Sequence, residues 1–312
     1  MRVVRYEACH EEIWNRHIRE SKNGSFLFDR GYMGYHAERF TDHSLLFFDE
    51  RDRLAGVLPA SLHGTELVSH GGLTYGGIVS NEDMKTSTMV RLFDAMLGFL
   101  RAQGVSRLCY KAIPHIFHRI PADEDLYALF LHDARLYRRD ASSAIYLPDR
   151  LRFAKGKREG VRKANKAGLV VSESLDFESF FAIGEKLMRE RHGLAPVHSS
   201  DEMSRLATLF PENIRLHASF SGNQMLAGAI TYVFAPFVHL QYMYNCDEGM
   251  ELGALDLVLD HLITGPYGSF KYLSFGVSTE DGGRFLNQGL MHQKEMFGAR
   301  SVVHDFYEIN LT

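Results

Sequence analysis

Two spacings of apolar positions alternate along this chain. Residues 44–48 form a short apolar run, 49–53 a polar break, and 54–60 a second run opening on Leu54-Ala55-Gly56, which together have the composition of a β-hairpin. The same events return at 214–220, at the break Ser221-Gly222-Asn223-Gln224, and at 226–232, which opens on Leu226-Ala227-Gly228. Each hairpin leads to a third predicted strand, 66–73 and 237–245, and then to a segment with apolar residues three and four apart. These are Met89, Leu92, Phe93, Met96, Leu97 and Leu100 within 84–103, and Leu252, Leu255, Val258, Leu259 and Leu262 within 251–264. That spacing lines one face of a helix. Strands at 105–112 and 269–276, helices at 124–137 and 283–297, and closing strands at 141–147 and 301–309 complete the order β-β-β-α-β-α-β twice. The repetition predicts an α/β (α+β) fold of two tandem domains, each a mixed sheet flanked by helices, with residues 1–148 in the first and 149–312 in the second.

Composition narrows the function. With 45% hydrophobic and 24% charged residues in 312, the chain can bury the cores of two domains, and disorder is excluded. Its 35 basic and 39 acidic residues leave a net charge of -4, which gives no general field for holding DNA. One stretch departs from this balance: Arg150, Arg152, Lys155, Lys157, Arg158, Arg162, Lys163 and Lys166, closed by Ala167-Gly168 as a helix end would be. It reads either as a solvated helix face or as a local site for a phosphate-bearing group. The opening residues carry charges where a signal peptide has its apolar core, and no run reaches the ~18 apolar residues of a membrane helix, so a cytoplasmic location is expected. Cys9, Cys109 and Cys246 are too far apart for a knuckle or a disulfide framework and are expected reduced. His115 and His118 have ligand spacing but no third partner, so no metal is expected. Serine-hydrolase elbows, zincin helices and P-loops are absent from the sequence.

Several stretches resemble one known group. Phe28-Asp29-Arg30-Gly31-Tyr32-Met33, Arg39-Phe40-Thr41-Asp42-His43-Ser44 and Ser69-His70-Gly71-Gly72-Leu73-Thr74-Tyr75-Gly76-Gly77 resemble the first domain of FemAB-like members of the GNAT acyltransferase superfamily. In the second half Lys157-Arg158, Arg162-Lys163-Ala164, Gln241-Tyr242 to Asn245, Phe275-Gly276 and Lys294-Glu295-Met296-Phe297-Gly298-Ala299-Arg300 follow the same pattern in order. The resemblance implies two GNAT-like domains and acyl transfer from a thioester or ester to an amine or hydroxyl. Acetyl-CoA is the implied co-substrate, and a sugar or cell-envelope precursor the implied acceptor. Members that use aminoacyl-tRNA carry a long coiled-coil arm, for which this sequence has no heptads, so tRNA is not the expected donor. A non-catalytic protein that keeps the fold is the further alternative.

The implied donor site lies in the second domain. Gly249, Gly253 and Ala254, after Tyr244 and Asn245, offer the small residues of a pyrophosphate-binding turn, although the acidic Asp247, Glu248 and Glu251 would equally suit a plain helix start. Strict alternation along 237–245 places His239, Gln241 and Met243 on one face and Leu240, Tyr242 and Tyr244 on the other. His239 is then a candidate general base, with Gln241 and Tyr242 as acceptor contacts. Ser278-Thr279-Glu280-Asp281 follows a predicted strand, where α/β sheets place functional loops; Glu280 or Asp281 is a second candidate base, or Asp281 simply caps the next helix. Lys294 on that helix is a candidate phosphate or oxyanion partner. From the first domain His70 and Asp29, with Arg30 beside it, are expected to face the acceptor.

Overall fold

The computed structural model describes residues 1–35, 39–73, 75–192 and 196–312, so Thr74 of the glycine-rich stretch lies outside them. The chain divides into two compact units. Unit 1 comprises Met1–Ala141, Thr279–Phe285 and Val302–Thr312; unit 2 comprises Ser142–Ser278 and Leu286–Ser301.

In unit 1 the predicted hairpin forms, as the antiparallel strands Leu45–Phe48 and Leu54–Leu58. Arg2–Arg5 and Val79–Ser80 flank it in a four-stranded sheet. The expected third strand shortens to Glu66–Val68 and belongs to a different sheet, between Ser61–His63 and Arg107–Lys111. The far side of Arg107–Lys111 pairs antiparallel with residues 306–310. Helix Thr86–Ala102 buries the six apolar residues read from the sequence against Leu45, Phe47, Leu58, Leu108 and Tyr110. The helix expected over 124–137 stops at Leu131, and the chain turns through Asp133 at φ +52° into the strand Arg135–Tyr146.

A buried acid lies in this core. Tyr110 Oη donates to Asp125 Oδ2 at 2.6 Å and accepts from the Ile78 amide at 2.8 Å. Burial pushes the Asp125 carboxyl up to about 7, against the hydrogen bonds from Tyr110 and Leu126. The folded chain therefore holds a proton that the unfolded chain releases near the ordinary 3.8, and the stability this group contributes in acid is lost as pH rises from there to about 7. Asp125→Asn is expected to remove that loss, so its urea midpoint should gain on the wild type between pH 4 and 7 and run parallel above; an unchanging difference would refute the assignment.

Unit 2 has the strand order Val170–Ser174, Ile214–Ser221, Gln224–Phe234, Phe237–Asn245, Tyr272–Val277 and then residues 142–146. The second predicted hairpin and its third strand are present. Two helices share the core on this sheet, Lys155–Lys166 through Ala164 and Ala254–Thr264 through Leu255, Val258, Leu259 and Leu262. The predicted helix 251–264 is in fact two, Asp247–Leu252 and Ala254–Thr264, because Gly253 adopts φ +78° between them. Likewise the helix expected from 283 begins at Gln288, since Asp281, Gly282 and Gly283 all take positive φ in a tight turn. Its cap is therefore Asn287, whose side chain accepts from the Leu290 amide at 3.0 Å, and not Asp281. Helices Phe177–His192 and Ser200–Leu209 were not foreseen, although Ser199 and Glu202 form a capping box that the sequence spells out.

Candidate active site

Unit 2 contains a strand fork. Phe237–Asn245 and Tyr272–Val277 run parallel and pair at Phe237 with Tyr272, Val238 with Leu273 and His239 with Ser274, and no further. The cause is a bulge on each strand. Against Gln224–Phe234, Leu240 faces Thr231 and Tyr242 faces Ile230, which leaves Gln241 extra. Against residues 142–146, Ser274 faces Ala144 and Gly276 faces Ser143, which leaves Phe275 extra. Bulges re-aim a strand and end its pairing. Past His239 the two strands no longer pair with each other, and the Gly276 amide turns to Ser274 Oγ at 3.4 Å.

The Gln241 bulge also overturns the alternation expected along this strand. Leu240 and Met243 now share the face that meets the core, while Tyr242 and Tyr244 meet the helix Phe177–His192 on the other. Tyr244 stacks tilted on Phe180 at 4.8 Å between ring centroids, directly under Gly184, where an added Cβ would collide with the ring. It serves packing, and burial raises its phenol far above the ordinary value. Tyr242 Oη is hydrogen-bonded to His198 Nδ1 at 2.6 Å, a partner with no signal in the sequence pattern. His239 stands at the crotch of the fork: Nδ1 is 3.2 Å from Ser274 Oγ, and Gly276, at φ +74°, leaves room for its ring.

Lys294 is brought to the same strand end. It is buried, 3% exposed, and its ammonium donates to Gly276 O at 2.9 Å, Val277 O at 2.8 Å and Ser278 Oγ at 2.7 Å. Burial pulls the ammonium down to about 8. All three donors are used within the protein, so Lys294 shapes the end of the fork.

The small residues of the turn expected to cradle a pyrophosphate face other parts of the chain. A Cβ on Gly253 would strike Gly160 of the Lys155–Lys166 helix, at 2.7 Å from its Cα, and one on Gly249 would lie 2.6 Å from Leu226 O and against Asn245 Oδ1. Ala254 is fully buried. These small residues let two helices meet, and Lys157 locks the contact through Asp256 at 2.8 Å while lying over the Phe297 ring. The rest of the basic stretch, Arg150, Arg152, Lys155, Arg158, Arg162, Lys163 and Lys166, is solvent-exposed.

Glu280 and Asp281 belong to unit 1, on an exposed turn held by Thr279 Oγ1 on Asp140 at 3.0 Å and by Gly283 packed on Arg139. Unit 1 also encloses a cavity of about 190 Å³ lined by Tyr6, Glu11, Arg30, Phe40, Asp42, Ser61, His70 and neighbours. His70 lines it, in a left-handed conformation at φ +52°. Asp29 does not; its carboxylate caps the Arg30–Gly34 helix by accepting from Gly31 at 2.9 Å. Arg30 takes its place, the guanidinium sandwiched by Tyr6 at 3.3 Å and Trp14 at 3.8 Å and paired with Asp42 at 2.7 Å.

No family model and no curated protein matches the sequence. Solved structures do match its fold. FemX superposes with a TM-score of 0.67 at 11% identity, over 99% of this chain and 97% of that one. The C-terminal domain of an Agrobacterium fabrum protein assigned as a lysylphosphatidylglycerol synthetase gives 0.63 at 13% identity, over 97% and 92%. A tandem GNAT protein from the clavulanic acid biosynthesis pathway gives 0.50 at 8% identity, over 100% and 98%. At these identities the likeness is one of fold, and this chain has the two-domain GNAT-like fold seen in FemX and the tandem GNAT protein.

Proposed function

We propose that this chain is an acyltransferase that moves an acyl group from an activated carrier to an amine or hydroxyl of a sugar or envelope precursor. The observation that carries the reading is the fork in unit 2. An extended, amide-bearing arm such as the pantetheine of acetyl-CoA can enter where two neighbouring strands stop pairing with each other. In this reading the acceptor nitrogen or oxygen attacks the donor carbonyl directly, the new C–N or C–O bond replaces the C–S bond, and the proton passes through a base to the leaving thiolate. His239, oriented by Ser274, is the proposed base. Glu280 and Asp281 are proposed as a second candidate base or as contacts to acceptor hydroxyls. Separately, the cavity of unit 1 offers the rings of Tyr6 and Phe40 for a sugar face and Asp42, Glu11 and Ser61 for its hydroxyls.

The Gly253 turn favours a second reading for the donor. Its small residues are spent on a helix contact, whereas the exposed cations of residues 150–166 suit an aminoacyl-tRNA. One experiment separates the two: release of free thiol from acetyl-CoA with nucleotide-sugar acceptors, run beside transfer of labelled amino acid from charged tRNA. Acceptor-dependent turnover in one arm, reduced about 100-fold by His239→Ala, is the expected result. Turnover in neither arm would remove the reading.

A further inference from the structure

Unit 1 carries its own version of the fork, and it is laced shut. Glu66–Val68 and Arg107–Lys111 are parallel and pair from Glu66 with Arg107 to Val68 with Cys109, as His239 and Ser274 end the pairing in unit 2. Beyond Val68, however, the backbone does not part. The Ser69 amide donates to Cys109 O at 2.9 Å, Ser69 Oγ accepts from the Lys111 amide at 2.7 Å, and the Gly76 amide donates to Lys111 O at 3.1 Å. The Lys111 ammonium then reaches across to His70 O at 2.9 Å, Leu73 O at 2.7 Å and Gly71 O at 3.4 Å. His70 and Gly71 are wall residues of the 190 Å³ cavity.

We propose that Lys111 is a positioning residue: its clasp on the 70–73 carbonyls holds the His70–Gly71 wall in the shape that receives the acceptor. The proposal rests on the reading of the cavity as the acceptor pocket. Three observations support it. The wall needs holding, because His70 occupies a left-handed conformation that disfavours side chains. It also has no slack, since a Cβ on Gly71 would lie 2.7 Å from Ser61 Oγ and one on Gly72 2.7 Å from the Phe40 ring. And the charge is kept at a cost: burial pulls the ammonium down to about 8, with the cation Arg138 adding to the fall and Cys109 opposing it. A group retained against its own desolvation points to a specific arrangement rather than to stability.

The test compares Lys111→Met and Lys111→Gln with Lys22→Met, which removes another buried lysine of unit 1, the partner of Glu124, whose ammonium makes no bond to the 70–73 carbonyls among those described. Amide exchange over residues 69–76 reads the clasp. Trp14, the single tryptophan, reads the cavity through Arg30, whose guanidinium it stacks on; UDP-N-acetylglucosamine is the probe titrated. Exchange about tenfold faster and probe affinity about tenfold weaker in both Lys111 variants, with neither change in Lys22→Met, is the expected result. Unchanged protection of the 69–76 amides in both variants would overturn the proposal. Lost protection together with no probe binding to the wild type up to about 1 mM would uphold the clasp and overturn the sugar reading of the cavity.

Discussion

Lys294→Met is expected to cost acyl transfer about 100-fold while leaving the thermal midpoint within a few degrees of the wild type. The two halves of that expectation have the same origin. The ammonium sits at 3% exposure with three oxygen acceptors, and burial draws it down to about 8, so folding at neutral pH carries a desolvation cost that methionine does not. Against this, methionine leaves two carbonyls and Ser278 Oγ without their donor, and the opposing effects largely cancel in stability. They do not cancel in geometry. Gly276 and Val277 form the arm of the fork that leaves His239, and without the ammonium nothing draws their carbonyls inward. Initial rates beside a melting curve decide the matter. A variant that loses heat stability and activity in proportion would make Lys294 an ordinary core residue.

Gly253→Ala is expected to destabilise the chain by about 2–5 kcal/mol, more than any surface change in the same segment. Two costs add. The position has φ +78°, which side chains resist, and the new methyl would meet the backbone of Gly160, which cannot rotate away. Urea denaturation measures the loss. Gly249 is a weaker position because its φ is helical, although Leu226 O bounds it at 2.6 Å. Were Gly253→Ala as stable as the wild type, the helix contact would be looser than described and the turn open to an anion after all.

The sequence conveyed the second domain better than the first, and the reasons lie in particular residues. The helical spacing of Leu255, Val258, Leu259 and Leu262 survives because a core of one sheet and two helices preserves period. The bulge at Gln241 does not show, since one extra residue leaves no compositional mark while it turns Met243 from one face to the other. Gly253 was legible as a place that needs smallness, but smallness is equally the signature of an anion cradle and of two helices in contact. His239 and Lys294 were found as chemistry-bearing residues at strand and helix positions; that Lys294 spends its donors on the backbone is a tertiary fact. The cavity of unit 1 was only half seen. Tyr6, Phe40 and Ser61 come from separate stretches of chain, and nothing local announces that they line one cavity with Arg30.

The return of residues 302–312 to unit 1 has a consequence for the order in which the molecule is made. Lys111 lies on a strand paired on one side with Phe306 to Asn310, so its sheet stays one strand short until those residues have been synthesised. Unit 1 is begun first and finished last, with all of unit 2 synthesised in between. A ribosome stalled before residue 306 would hold a nascent chain with that side of Arg107–Lys111 unpaired, and reporters fused after it should register the closing of unit 1 as an event later than the synthesis of unit 2.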